Sequence, residues 1–112
     1  MAFTVTSSVD GTVAKLTLAG RLDANTAREF QVEIEKVAEQ RPCTVALFVH
    51  ELEYMASAGI RMLVFTKQKL GSETDVYVVG AQHQIIHTLE MTGVDKSVIL
   101  VDEFEPAASI QG

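Results

Sequence analysis

The stretch Cys43-Thr44-Val45-Ala46-Leu47-Phe48-Val49 decides the fold. It is an almost unbroken apolar run. At a strand's period of two, Cys43, Val45, Leu47 and Val49 face one side and Ala46 and Phe48 the other. A strand apolar on both faces sits centrally in a sheet and takes parallel neighbours. Cys43, at its start, reads as a small core residue. The elements on either side of this strand must therefore supply helical crossovers and flanking strands.

Upstream, Ala27, Phe30, Ile34 and Val37 recur at helical spacing, with Arg28, Glu29, Glu33, Glu35 and Lys36 off the stripe. Thr26 and Glu29 have capping-box spacing, Asp23 and Asn25 are rival caps, and Pro42 stops the helix. Before it, Ala14, Leu16 and Leu18 alternate with Lys15 and Thr17, and Gly20 reads as the strand's end. Phe3 and Val5 open an earlier strand. Asp10-Gly11 between the two reads as a hairpin turn. Downstream, Gly59–Leu70 is helical with Ile60, Leu63, Val64 and Leu70 inward, and Gly71-Ser72 closes it. Val76–Val79 is a strand. Gln82–Thr92 is a helix with Ile85, Ile86 and Leu89 inward and Gly93 as its stop. Val98–Val101 is the last strand, and Pro106 can open a closing helix. The expected fold is α/β, one domain over residues 1–112. It has a mixed sheet whose first hairpin is antiparallel and whose remaining strands have parallel neighbours, packed with about four helices.

A chain of 112 residues is long enough to bury about two-thirds of its extended-chain surface. Fifteen acidic and nine basic residues leave a net charge of −6, which disfavours nucleic acid and anionic membranes as partners. The absence of Trp, with only two Tyr and five Phe, leaves little for base stacking. A single cysteine fits a reducing compartment. No basic segment precedes a long apolar run at the start, and no apolar stretch is long enough to span a bilayer, so the expected location is the cytoplasm.

Strand-to-helix junctions are where α/β sheets gather ligands and partners. Here the central strand ends near Val49 and runs through His50-Glu51-Leu52-Glu53-Tyr54-Met55 as a loop into a helix near Ser57. Ser57 fits an N-cap, and it also stands where backbone N–H groups and the helix dipole favour an anion. Small Ala58 and Gly59 leave the backbone open to approach. A nucleophile elbow would read G-x-S-x-G, but Met55 stands where the first Gly belongs, and none of His50, His83 and His87 is tied to Ser57 by spacing. His83 and His87 share a helix face, with Glu90 three residues on as a possible third ligand, but H-E-x-x-H is absent and a solvated face is the plainer use. Walker A and G-x-G-x-x-G signatures are absent. No cofactor is expected.

Two segments carry a resemblance. Gly20-Arg21-Leu22-Asp23-Ala24-Asn25-Thr26-Ala27 follows a strand, and Ser57-Ala58-Gly59-Ile60-Arg61-Met62-Leu63 opens a helix. Together they resemble the G-x-(L/I/V)-D and S-(S/A)-G-(L/I) segments of STAS domains, the family of bacterial anti-sigma-factor antagonists, over about residues 3 to 110. The resemblance implies a partner-switching module and no enzyme activity. An unphosphorylated antagonist binds an anti-sigma factor that is also a serine kinase of the histidine-kinase-like ATPase type. Phosphorylation releases it, and a PP2C-type phosphatase reverses the step. Carried over by position, Ser57 is the acceptor. Asp23 shapes the docking surface, and Met55, Ala56, Ala58, Gly59 and Arg61 complete the contact region. Arg61, one turn beyond Ser57, can meet a phosphate or the partner, or serve only as a solvated charge. Glu51 and Glu53 would add repulsion toward an acidic partner surface. Ala56 departs from the family, where Asp or Ser often precedes the acceptor. A STAS adaptor that is never phosphorylated is the alternative, and an enzyme or small-molecule binder using the same helix start is a third reading.

Overall fold

The computed structural model describes residues 3–104. In chain order the elements are β1 (Thr4–Asp10), β2 (Val13–Leu22), α1 (Ala27–Ala38), β3 (Thr44–Met55), α2 (Ser57–Leu70), β4 (Asp75–Val79), α3 (His83–Thr92) and β5 (Ile99–Val101). A turn of 3-10 helix at Val94–Lys96 precedes β5. The sheet runs β1-β2-β3-β4-β5. β1 and β2 are antiparallel and every later pair is parallel, as expected. Three α-helices, not four, lie within the described residues; the closing helix expected from Pro106 falls outside them.

One core explains the alternation in the strands. Ala14, Leu16 and Leu18 of β2, Val45, Leu47 and Val49 of β3, and Val76 and Val78 of β4 form one apolar layer. Onto it pack Phe30, Ile34 and Val37 from α1, Ile60 and Leu63 from α2, and Ile85 and Leu89 from α3. Each crossover steps to the next strand in the same direction, so right-handed connections place all three helices on that face. The other face carries Phe48 and Tyr77. The Phe104 ring crosses it 6.2 Å from Phe48, edge-on, and 5.1 Å from Tyr77.

Several local expectations are corrected. Asp10 pairs with Val13, so the two-residue hairpin loop is Gly11-Thr12, one position later than read. Gly11 has φ +64°, as the first loop residue of a type II′ turn requires. Gly20 does not end β2; the strand continues to Leu22 with Gly20 at φ +93°. Thr26 is the N-cap residue of α1 but makes no side-chain cap, so the capping box with Glu29 does not form. Cys43 is exposed, because β3 begins one residue after it. Its backbone is spent instead on the sheet's lower rim, donating to Thr12 O at 2.8 Å and accepting from Asp75 N at 3.1 Å. Val64, read as inward, is 38% exposed. Buried Thr66 takes the inner position and donates its hydroxyl to Met62 O at 2.7 Å, which removes the cost of burying it.

The segment His50–Met55 is strand and not loop. Between Thr17 and Arg21 of β2, the pairing with β3 shifts twice, from Phe48 to Glu51 and from Leu52 to Tyr54. Each shift gives β3 one extra residue, which is a bulge. The buried positions therefore fall at Val49, Leu52 and Met55, three apart, in place of an alternation of two.

A polar clasp ties α1 to the edge strand. Ser7 Oγ donates to Glu33 Oε1 at 2.9 Å, and Lys36 Nζ pairs with Glu33 Oε2 at 2.9 Å. Lys36 first, and Ser7 second, hold the Glu33 carboxyl below the ordinary carboxylate range. A depressed pKa in the fold adds stability above the unfolded value of about 4.3, and that contribution is lost as pH falls. Glu33→Gln is expected to cost under about 1 kcal/mol at pH 7 and nearly nothing at pH 3. Urea unfolding at both pH values checks this; an equal cost at both would mean that the charge contributes nothing.

Candidate functional site

The candidate site is the top of β2 and β3, where both strands hand over to helices. Arg21 pairs with Tyr54 and Leu22 with Met55 across the strands. The ladder is closed by Ala56 N donating to Leu22 O at 2.9 Å. Ala56 is extended, at φ −82° and ψ 176°, and serves as the N-cap of α2 without a side-chain bond. Its carbonyl accepts the first helical bond from Ile60 N at 3.1 Å. Ser57 is thus the first residue inside α2, not its cap. It is exposed, and among the described residues no hydrogen bond holds its hydroxyl.

Beneath it, Gly59 is buried. A Cβ there would stand 2.7 Å from Met55 Cγ and 3.0 Å from Leu22 Cγ. The missing side chain lets α2 lie directly on the paired strand ends. Its smallness serves internal packing and not a partner's approach. Met55 is also buried, at 7% exposure, so Met55 and Gly59 support the surface from below. Ala56 and Ala58 are half-buried and Arg61 is exposed. The outward stripe of α2 is Ser57, Arg61, Val64 and Gln68, spaced four, three and four apart.

Asp23 shapes the adjoining loop. Its Oδ1 accepts from Asn25 N at 3.0 Å and from Thr26 N at 3.3 Å, an Asx turn. Thr26 Oγ1 accepts from Asp23 N at 2.9 Å and donates to Arg21 O at 2.8 Å. The two side chains thus lock the connection from β2 to α1 beside Ser57. Over the same strand ends, the Arg21 guanidinium stacks on the Tyr54 ring at 4.2 Å from its centroid. The sequence reading missed this pair, since only the bulged register brings the two residues opposite each other. Glu51 and Glu53 are exposed on β3.

Among the described residues, no histidine is hydrogen-bonded to the Ser57 hydroxyl. The His50 ring stacks on Phe48 at 6.4 Å and leaves no room for a side chain at position 80, where a Cβ would come within 2.2 Å of it. His83 and His87 are exposed on α3. Among the described residues, no three His, Cys, Asp or Glu side chains are grouped to hold a metal. A groove of about 960 Å³ opens at the other end of the sheet, lined by Arg41, Cys43, Lys69 and Glu73 among others. A hollow of about 300 Å³ lies beside Val78, Ala81 and Ile86. Neither is lined by Ser57. No helix among the described residues is long and apolar enough to cross a membrane.

A mixed sheet in sequence order, with a serine opening its second helix, defines the fold. The model of the STAS domain family matches residues 4–107, and the chain belongs to that family. It is 26% identical over 104 residues to the anti-sigma-F factor antagonist RsfB of Mycobacterium tuberculosis, a match covering 93% of this chain and 85% of the relative. Its fold is similar to that of an anti-sigma factor antagonist from Mycobacterium paratuberculosis, with a TM-score of 0.85 and 25% identity over 97% of this chain and 93% of that one. The Bacillus cell fate determinant SpoIIAA in its phosphorylated form shares the fold, with a TM-score of 0.70 at 16% identity over 98% of both chains.

Gly59→Ala is expected to destabilise by about 1 kcal/mol: overpacking costs about 1–3 kcal/mol, and the better helix former returns part of it. A urea midpoint equal to or above that of the native chain would show that α2 does not rest tightly on Leu22 and Met55.

Proposed function

We propose that this chain is an anti-sigma-factor antagonist switched by phosphorylation of Ser57. The reading is supported by family membership and by the mycobacterial antagonists that it resembles at 25% and 26% identity. The single observation that carries it is the placement of Ser57: an exposed, unbonded hydroxyl at the first residue of a helix. A hydroxyl so placed can reach into a kinase.

In the unmodified state the Asp23 loop and the outward stripe of α2 dock an anti-sigma factor. That partner is a serine kinase of the histidine-kinase-like ATPase type. The Ser57 oxygen takes the γ-phosphoryl group of ATP as the bond to ADP breaks, and the hydroxyl proton leaves. The product carries about −1.5 to −2 extra charge at the docking surface. An interface packed against a neutral hydroxyl must then desolvate an anion, and it opens. A PP2C-type phosphatase hydrolyses the ester and restores the hydroxyl. The exchange takes place in the cytoplasm, and the chain itself acts by binding.

One feature favours a second reading. Ala56 places an apolar side chain before Ser57, so no neighbouring polar group supports the hydroxyl. A STAS adaptor that binds without being phosphorylated needs no such support.

Incubation with the anti-sigma factor and ATP, followed by intact-mass measurement, separates the two. The switch adds one phosphoryl group, which Ser57→Ala abolishes. Ser57→Asp is expected to weaken binding at least tenfold, about 1.4 kcal/mol, in titration calorimetry. Full binding without any mass gain would leave the adaptor.

A further inference from the structure

We propose that Arg61 is the built-in counter-ion of the phosphate on Ser57, so that the phosphorylated chain closes an ion pair along one turn of α2. The inference rests on the reading of Ser57 as acceptor. Ser57 is the first residue of α2 and Arg61 lies four residues on, so their Cβ atoms are about 5–6 Å apart on one face. Both are exposed. Helical side chains lean toward the helix N-terminus, so the Arg61 stem leads back to the Ser57 oxygen. The only ion pair among the described residues is Lys36–Glu33, and Arg21, another cation near this end, lies on the Tyr54 ring. Arg61 is therefore free to turn. The first turn of α2 holds no acidic residue, so no carboxylate competes for it there.

A guanidinium matches a phosphate with two parallel hydrogen bonds, which a point charge does not. Pairing changes the surface twice. An anion appears, and the cation that the stripe Ser57-Arg61-Val64 presented is consumed. A partner carboxylate that uses Arg61 before phosphorylation loses it afterwards, so release works through competition as well as repulsion.

The test uses the full chain with phosphoserine inserted at position 57 during translation, so no kinase is involved. Phosphorus NMR follows the second ionisation of the phosphate against pH in the native chain, in Arg61→Gln and in Arg61→Lys. A paired dianion is favoured, so the native midpoint falls below the ordinary value of about 6. Arg61→Gln is expected to raise it by on the order of 0.3 unit, Arg61→Lys by less, and 0.5 M salt to shrink the difference. The other charged groups around this end, Arg21, Asp23, Arg28, Glu29, Glu51 and Glu53 with those of the 3-10 turn, are common to all three chains, so the comparison isolates Arg61. Unmodified Arg61→Gln is expected to melt with the native chain, while its phosphorylated form melts below the phosphorylated native chain. Identical phosphorus midpoints in the native and Arg61→Gln chains overturn the pairing. A shifted midpoint in a phosphorylated chain that still holds the anti-sigma factor would keep the pairing and reject the switch.

Discussion

Ala56 N closes on the Leu22 carbonyl at 2.9 Å, and one turn later Gly59 brings bare backbone against the Leu22 and Met55 side chains. This contact fixes where α2 begins. The strand ends are rigid, because Leu22 is fully buried and Met55 nearly so. The helix is therefore anchored at its first turn by packing, without any side-chain cap. Ser57, two residues before Gly59, is lifted clear of the sheet as a consequence. A larger residue at 59 would push the helix start off the strands and spoil the placement of the hydroxyl. The small residues of this motif thus position the serine from the inside.

The same anchoring constrains how a phosphate can act. A helix held by packed side chains has no second arrangement nearby for a surface charge to select. On the proposed reading, a modification on its exposed stripe acts through the charge presented and requires no backbone movement. Such a switch is thermodynamically sufficient. A ligand's grip shifts by whatever differential free energy the two surface states offer, and no conformational change is needed. On the same reading, the charge falls beside the Asp23–Thr26 turn and the Arg21–Tyr54 stack, which lie over the same strand ends. These locked side chains give the surface a fixed shape against which an added dianion cannot be relieved by loop movement.

Much of the fold was legible because its core obeys simple periods. Leu16 and Leu18 at period two, and Phe30, Ile34 and Val37 at helical spacing, are buried as read. The unbroken run through Val45–Val49 marked the central strand correctly. Legibility failed where geometry departs from those periods. Two bulges stretch the burial of β3 to every third residue, so His50–Met55 carries no strand alternation although Glu51, Leu52, Tyr54 and Met55 pair with β2. Cys43 and Val64 look apolar enough for the core, but the start of β3 and the rotation of α2 decide otherwise. At the site, the serine and the Asp23 turn were visible as residue types. The cap assignment was off by one residue, because Ala56 takes the extended conformation through a backbone bond to β2 that no local pattern reveals.

The bulges that hid the strand also have a use. Without them β3 would keep step with β2, and the residues opposite Arg21 and Leu22 would come from earlier in its sequence. Two extra residues carry β3 on until Tyr54 faces Arg21 and Met55 faces Leu22. They also increase the local twist, which bulges do wherever they occur. Tyr54 is thereby left 41% exposed beneath a guanidinium, and the chain reaches Ala56 level with the end of β2. The irregular segment is therefore what brings the serine helix and the Asp23 loop to one level. A regular strand would have been easier to read and would have placed the two halves of the surface out of register.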